Sequence, residues 1–258
     1  MRARRPAVLL LLLALPLGAA ACGGGKKSST TTTSASSAAA AVKAAAEKTA
    51  KAGGLKLALS VASASTGARI AVAGAGGFDT TKHAGKLHLR FATGGISGTM
   101  DVVLSGTDLY IHSPLLSIAL PTGKTWIKVD LSKSAKAGGL DLSSILSQDP
   151  TQALDAIENA STVTQVGTLQ MGGATWTRYH ALVSQSGTTK VGGTYDVWVG
   201  DDGYVHRVRT VLAAASGSSA GAVRATSTLS GFGETVTVTV PPASQTVTST
   251  GSIPGLGG

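Results

Sequence analysis

The sequence of 258 residues has a single cysteine, Cys22. A lone cysteine excludes an intrachain disulfide, so a folded domain must be held together by its own hydrophobic core. Charged residues make up 14% of the chain and aromatic residues 4%, whereas glycine occurs 34 times. This composition indicates a sheet-rich protein with small side chains and a loosely filled core.

The N-terminal apolar run, residues 7–17, is too short for a membrane span, which needs about 20 apolar residues. Three arginines precede it, and the small residues 18–21 follow it directly before Cys22. This order is typical of a signal peptide. We therefore expect residues 1–21 to be cleaved, and Cys22 to carry palmitate-type acyl chains as a lipoprotein on the outer, periplasmic side of the cell membrane.

Two further segments have few large apolar side chains that could form a core. Residues 23–37 are almost entirely Gly, Lys, Ser, Thr and Ala, and residues 248–258 are similarly rich in Gly and Ser. Such compositions are typical of disorder. We interpret 22–37 as the lipidated cysteine with a flexible tether that spans on the order of 20 Å, 38–247 as one folded domain, and 248–258 as a disordered tail.

Acidic residues are scarce: 13 face 22 lysines and arginines, which gives a net charge of +9. A basic chain suits nucleic acid or an anionic membrane surface. Because the leader directs the protein to the envelope, we expect a membrane as partner and no nucleic acid. We expect a monomer.

The pattern along the domain predicts one helix followed by strands. Residues 38–52 are alanine-rich and end at a glycine pair, which indicates a helix and its C-terminus. Asp149, Pro150 and Gln152 stand in capping-box order and predict a second helix to about Ala160. From Leu55, apolar and polar residues alternate, as in strands. Later predicted strands are 69–75, 86–92, 97–104, 108–112, 125–131, 162–169, 175–183, 194–199, 204–212, 223–229 and 235–240.

Short connections with turn residues, such as Gly94–Gly95 and Asp201–Gly203, indicate antiparallel neighbours. A sheet of roughly eleven strands curls into a barrel or splits into a sandwich. With two helices available, we predict an α+β fold: a strongly curved antiparallel sheet, or half-barrel, with the helices packed on its concave side.

Motifs that suggest catalysis lack the required context. Ser219 lies in a G-x-S-x-G pattern, but a strand follows it and no histidine comes later in the chain. Gly123–Thr125 resembles the end of a phosphate-binding loop without its first glycine, so we predict a turn. The five histidines lack zinc-ligand spacing, and the few carboxylates form no acid–base pair. We predict no enzyme activity, no metal and no cofactor.

Larger apolar residues are more informative. Trp126, Trp176 and Trp198 lie in strand-like runs, where core packing is the first interpretation and the lining of a hydrophobic pocket is the alternative. Residues 115–120 form an apolar connection after Pro114, where polar residues are usual. This connection either caps the core or flanks the mouth of a cavity.

Several stretches together resemble a known family: Cys22 after small residues, the alanine-rich helix, and residues 103–110, 125–131, 197–203 and 238–244. Over about residues 38–247 the chain resembles the LppX/LprG family of actinobacterial envelope lipoproteins, relatives of the LolA/LolB-type half-barrel carriers. The resemblance implies a hydrophobic cavity for an acylated lipid or glycolipid, which the protein carries or presents across the envelope, with an envelope transporter as a candidate partner. It implies no catalytic residues.

Period-two alternation places seven apolar residues on one face of three consecutive strands. We predict that they line the concave side and contact the ligand, although parity alone leaves open whether that face is packed or hollow. The seven residues are Leu87, Leu89, Met100, Val102, Leu104, Leu109 and Ile111.

Two other functions are consistent with the same residues. A structural or adhesion-type surface module would fill its core with side chains and bind no lipid. An accessory lipoprotein would instead bind another protein through an exposed apolar patch.

Overall fold

A computed structural model describes residues 35–64, 69–132, 162–183, 193–212 and 222–249. These residues belong to one compact unit. The leader, Cys22 and most of the predicted tether lie outside the described residues, as do the predicted helix after Asp149 and the motif around Ser219.

Helix α1 spans Ala35–Ala50 and confirms the predicted N-terminal helix, although it begins three residues earlier, within the predicted tether. Alanine has the highest helix propensity, which accounts for helix formation here. The buried face consists of Ala38, Val42, Ala45, Ala46 and Thr49, spaced three to four residues apart. Gly53 follows with a φ of 77°, which glycine adopts readily at the end of a helix.

Twelve strands form a single sheet. A four-residue helix, α2 (Pro114–Ser117), lies between the fifth and sixth strands, and a 3₁₀ turn (Ala243–Gln245) precedes the twelfth. The strands are β1 (Gly54–Ala64), β2 (Arg69–Asp79), β3 (Ala84–Thr93), β4 (Ile96–Ser105), β5 (Asp108–His112), β6 (Trp126–Asp130), β7 (Thr162–Met171), β8 (Ala174–Val183), β9 (Gly193–Gly200), β10 (Val205–Leu212), β11 (Val223–Ser230) and β12 (Thr246–Ser249).

The spatial order is β12-β6-β5-β4-β3-β2-β1-β11-β10-β9-β8-β7, so the sheet is open between β12 and β7. All pairs are antiparallel except β12 with β6, which are parallel. The predicted curved antiparallel half-barrel of class α+β is thus confirmed. The turns at Gly94–Gly95 and Asp201–Gly203 connect β3 to β4 and β9 to β10, as predicted.

The C-terminal part of the domain differs from the sequence prediction. No strand forms over 235–240, and β12 instead reaches Ser249, which lies within the predicted tail. The side chain of Val236 lies over Gly54 and Gly77, 3.2 Å from the position that a Cβ of Gly77 would take. The alternating Thr–Val pattern therefore packs onto two glycines of the sheet and makes no strand pairs there.

One face of the sheet, the inner face, carries both hydrophobic clusters. The first cluster contains the buried face of α1 with residues of β1, β2 and β7–β11: Leu55, Leu57, Phe78, Val163, Tyr179, Ala181, Val183, Tyr195, Val197, Val205, Val208 and Leu229. The second cluster lies mainly on the other half of the sheet: Leu59, Val61, Val72, Leu89, Val102, Leu109, Ile111, Ile127, Val129 and Ala225.

The last residue of β2, Asp79, holds the turn into β3. Its Oδ1 accepts hydrogen bonds from Thr81 Oγ1 (2.7 Å), Thr81 N (3.1 Å) and Lys82 N (3.1 Å). The hydrogen bond from the Thr81 side chain is the main cause that lowers the pKa of Asp79 from 3.8 to about 2. Since the charged form is favoured in the folded state, its stabilisation is complete above the unfolded pKa and is lost as pH falls towards about 2.

Asp79→Asn is therefore expected to lower the free energy of unfolding by about 1–2 kcal/mol at pH 7, because the hydrogen bonds lose their charged acceptor. The deficit should shrink in urea unfolding at pH 2, where wild-type Asp79 is also partly protonated. The exposed turn variant Thr107→Ala serves as the control. An equal deficit of the Asn variant at both pH values would contradict this role.

Candidate functional site

The seven apolar residues predicted to share a face lie together on the inner face. Strand register places Leu87 opposite Val102, which in turn lies opposite Ile111. Met100 pairs with Leu89, and Leu104 pairs with Leu109. All seven belong to the second cluster or pack against it. That they contact a ligand stays a prediction.

Burial separates the seven residues into two groups. Leu89, Val102, Leu109 and Ile111 are at most 3% exposed. Leu87, Met100 and Leu104 are only partly buried, as are Ile70, Phe91, Leu116, Leu120, Leu131 and Val223 around the same cluster. The second cluster therefore has a buried floor on the sheet and a margin of partly accessible apolar side chains.

The first cluster is covered differently, because α1 lies directly on it. The helix is fixed at its C-terminus, where Thr49 Oγ1 accepts a hydrogen bond of 2.9 Å from the backbone N–H of Val205. Lys48 Nζ donates to the carbonyl of Asp202 at 2.6 Å. Burial raises the pKa of Tyr179 and of Tyr195, both in this cluster, as expected where side chains are taken out of water. This half of the inner face is a packed core.

Helix α2 lies at one end of the second cluster. Leu116 and Leu120 pack against the cluster, whereas Leu115 and Ile118 are 46% and 84% exposed. A Cβ at Gly98, on the inner face of β4, would lie 3.3 Å from a methyl of Leu115. The apolar connection thus covers part of the core through Leu116 and Leu120, while Leu115 and Ile118 form an exposed apolar rim. That it flanks the mouth of a cavity stays a prediction.

One polar side chain is buried beside α2. Ser113, which follows β5, is 2% exposed, and its Oγ makes no hydrogen bond. Although it is the residue before α2, its hydroxyl does not cap that helix. By strand parity it lies on the same face as Leu109 and Ile111, so it is the polar group at this end of the second cluster.

The three tryptophans lie on the outer face and belong to neither inner cluster, although Trp198 is buried there at 9% exposure. They alternate with buried inner residues: Ile127 follows Trp126, and Val197 precedes Trp198. The Trp176 ring stacks on His206 at 4.9 Å, and the Arg178 guanidinium lies over Trp198 at 5.4 Å. Histidine and arginine side chains from neighbouring strands thus pack on these rings on the outer face.

Three histidines contact aspartates on the outer face. His88 Nδ1 lies 2.7 Å from Asp101, His180 Nδ1 2.9 Å from Asp196, and His206 Nε2 3.0 Å from Asp202. Burial alone would raise the pKa of Asp196, but hydrogen bonds from His180 and Arg178 lower it overall. These pairs lie apart from the inner apolar surface.

The described residues contain no group of three or more metal-ligating side chains. They also include no helix that is long and apolar enough to cross a membrane. Gly123 has a φ of 80° and Lys124 N donates to the Pro121 carbonyl, so the phosphate-loop-like triplet is a turn into β6, as predicted.

Sequence reasoning missed part of the inner margin. Phe91 has the same parity as Leu87 and Leu89 and packs against the second cluster. Alternation along β3 was sufficient to include it. Ile70 lies on β2, which pairs directly with β3. Val223 comes from β11, which is distant in sequence, so only the observed pairing of β1 with β11 brings it to the same face.

No protein-family model matches the sequence, and no curated protein matches it significantly. The crystal structure of lipoprotein LppX from Mycobacterium tuberculosis is similar with a TM-score of 0.50 at 15% identity, over 79% of this chain and 99% of that one. LprF from Mycobacterium bovis gives 0.48 at 13% identity over 80% and 97% of the two chains. A DUF1329 family protein from Desulfovibrio piger gives 0.31 at 10% identity over 76% and 91%.

The similarity to LppX extends over nearly the whole of that protein at very low sequence identity, so it concerns the arrangement of the strands. It agrees with the family resemblance drawn from Cys22, the alanine-rich helix and the strand stretches. The resemblance is therefore confirmed at the level of the fold: this chain has the fold of the lipoprotein LppX.

Proposed function

We propose that this chain is an envelope lipoprotein, anchored through Cys22, that binds an acylated lipid or glycolipid and carries or presents it. The acyl chain lies against the second cluster on the inner face. The observation that carries the proposal is the margin of partly buried apolar side chains around that cluster, including Leu87, Met100 and Leu104.

The physical chemistry of such a site needs few polar groups. Transfer of an acyl chain from water into an apolar site is worth about 0.8 kcal/mol for each CH₂ group. Partly buried leucine, methionine and phenylalanine side chains can bury the rest of their surface against the chain. The hydrogen-bonding capacity left at Ser113 Oγ suits an ester carbonyl or hydroxyl near the head group.

The primary test is the composition of natively purified protein. Wild-type protein is extracted in mild detergent, its bound lipids are released with organic solvent, and they are identified by mass spectrometry. Near-stoichiometric acylated lipid is expected, beyond the acyl chains attached to Cys22. Complete absence of bound lipid would contradict a carrier and favour a structural or accessory lipoprotein.

A bulky substitution at the margin should separate ligand binding from folding. Met100→Trp is expected to reduce lipid occupancy several-fold and to leave the free energy of unfolding nearly unchanged, because part of the Met100 side chain is accessible to solvent. Val102→Trp, at a site only 3% exposed, should instead destabilise by about 1–3 kcal/mol.

The control for these variants is Thr99→Trp, which places the same ring on the exposed outer face of β4. Occupancy is measured by mass spectrometry and stability by urea unfolding. If folded Met100→Trp protein retains the wild-type amount of lipid, the ligand does not lie against this margin.

A further inference from the structure

The end of the sheet that carries α2 differs from the opposite end. This α2 end is where β1 stops, β2 starts and β5 leads into α2. Three large apolar side chains are exposed here: Ile96 at 58%, Leu115 at 46% and Ile118 at 84%. Ile96 begins β4, and Leu115 approaches Gly98 on the same strand, so β4 and α2 form one apolar rim. Such a continuous rim is typical of an interaction site.

Four arginines on β2, β3, β10 and β11 lie towards the same end of the sheet, on its outer face. Arg69 lies opposite Ala64 and Arg224 opposite Ala62, at the end of β1. Along the strands, Arg90 and Arg209 lie two to four residues further from this end than Arg69 and Arg224. At about 3.3 Å per residue, all four arginines are within about 13 Å of the end. All four are exposed, and no ion pair engages them within the described part of the chain.

The nearest carboxylates are already occupied. Asp196 lies opposite Arg209 in the register, but its oxygens accept from Arg178 and His180. Asp101 accepts from His88. The positive charge of the four arginines is therefore available to a partner.

The opposite end carries acidic residues as well as basic ones. Its described carboxylates include Asp79, Asp108, Asp202 and Glu234, and three of them form ion pairs with Lys82, Lys128 and Lys56. Half of the lysines near that end are thus paired with carboxylates, whereas Lys48, Lys51 and Lys86 have no ion pair among the described residues. The α2 end differs in that its exposed apolar rim and its unpaired arginines occur together.

Small residues separate the arginines. Ala62, Ala71 and Ala73 lie exposed between Arg224 and Arg90 on the outer face. They leave the long guanidinium side chains as the most projecting groups there. Phosphate-bearing surfaces can thus be reached by several arginines at once.

We infer that the α2 end docks on the surface of an anionic phospholipid bilayer, with Ile96, Leu115 and Ile118 in the interface and the four arginines on lipid phosphates. Charge alone would suit any polyanion, but exposed isoleucine and leucine gain free energy only where hydrocarbon is available. The orientation places the α2 end of the second cluster against the bilayer, and in this respect the inference rests on the proposed function.

The course of α1 agrees with this orientation. Its C-terminus is held at the opposite end by the contacts of Lys48 and Thr49 with Asp202 and Val205. Sixteen residues extend about 24 Å, so the helix leads away from that end towards Ala35. The predicted tether precedes Ala35 in the sequence.

The test uses the lipidated protein in vesicles of phosphatidylcholine, with or without an equal share of phosphatidylglycerol. Because acylation consumes the Cys22 thiol, Ile118→Cys provides a single site for an environment-sensitive fluorophore. We expect a blue shift and quenching by lipid-borne quenchers on the anionic vesicles. Thr107→Cys, exposed at the opposite end, should show neither change, and Leu115→Cys serves as a second reporter.

Charge variants test the arginines. Combined Arg69→Gln, Arg90→Gln and Arg224→Gln should lower the ratio of docked to undocked protein about 100-fold, since each arginine near an anionic surface contributes about fivefold. Combined Lys51→Gln, Lys56→Gln and Lys86→Gln removes the same charge elsewhere and should change the ratio far less.

Three results would each overturn the inference. They are the same blue shift and quenching for the fluorophores at positions 118 and 107, the same loss of docking in the two triple variants, and docking that does not require anionic lipid. So would binding of the arginines to a soluble anionic polysaccharide while the label at 118 stays in water on vesicles. Bound-lipid analysis of the same samples reports the proposed function separately. If the protein docks but contains no bound lipid, this inference is supported and only the proposed role as a lipid carrier is rejected.

Discussion

Replacement of Gly76 with alanine is expected to lower the free energy of unfolding by about 3 kcal/mol or more, and replacement with valine is expected to abolish cooperative folding. A Cβ at Gly76 would meet the carbonyl oxygen of Lys86, and one at Gly74 would meet that of His88. Both carbonyl oxygens belong to the backbone of β3, so neither can move without disrupting the hydrogen bonds between the strands. Overpacking against mobile side chains alone costs about 1–3 kcal/mol.

The position in the sheet explains why this backbone contact exists. Gly76 lies between Leu57 and Leu87 on the inner face, and Gly74 lies between Leu59 and Leu89. With no side chain at these two positions, the backbone of β3 occupies the space in which their Cβ atoms would project. The glycines thus permit a bend of the sheet beside the candidate lipid site.

The matched control is Ala75→Val, the neighbouring residue with an exposed side chain on the outer face. Surface substitutions of this kind usually change stability by less than about 0.5 kcal/mol. Urea unfolding followed by circular dichroism measures all three variants. A Gly76→Ala protein with the wild-type midpoint would show that the bend does not depend on this glycine.

Cys22→Ala is expected to release the protein from the membrane fraction. Residues 1–21 have the order of a signal peptide, and Cys22 follows the small residues directly. Acyl chains on the cysteine anchor the protein because each buried CH₂ contributes about 0.8 kcal/mol, and two chains hold stably where one does not. Without the acyl chains, only the weaker docking of the α2 end holds the protein on the membrane, and a carbonate wash disrupts that docking.

The measurement is immunoblotting of carbonate-washed membranes, together with the intact mass of the purified protein. Ser28→Ala, in the predicted tether, keeps the cysteine and should stay in the membrane fraction. Retention of Cys22→Ala in washed membranes, with no acyl mass on wild type, would refute lipidation and require another anchor.

Alternation in the sequence was sufficient to identify most strands and their faces. The seven residues from Leu87 to Ile111 share the inner face because side-chain direction along a strand depends only on parity. Turns with glycine, such as Gly94–Gly95, set the hairpins that pair β3 with β4. These features are local, and local sequence determines them.

Where local pattern and tertiary context disagreed, context decided. Residues 235–240 alternate as a strand does, but they form no strand, and Val236 packs over Gly54 and Gly77 of the sheet. The tryptophans were expected in a core because of their hydrophobicity, but they lie on the outer face, where Arg178 and Arg207 from the two neighbouring strands cover Trp198. Both outcomes depend on residues far away in the sequence.

By itself the sequence determined the strand-rich domain and the membership of each face, since these follow from composition and short-range period. Only the tertiary structure decided which half of the inner face α1 covers, and it placed Leu87 and Leu104 in contact with both clusters. It also brought Ile96, Ile118 and arginines from four strands to one end. Strand order and helix docking fix these neighbours, and long-range pairing is not encoded in any local pattern.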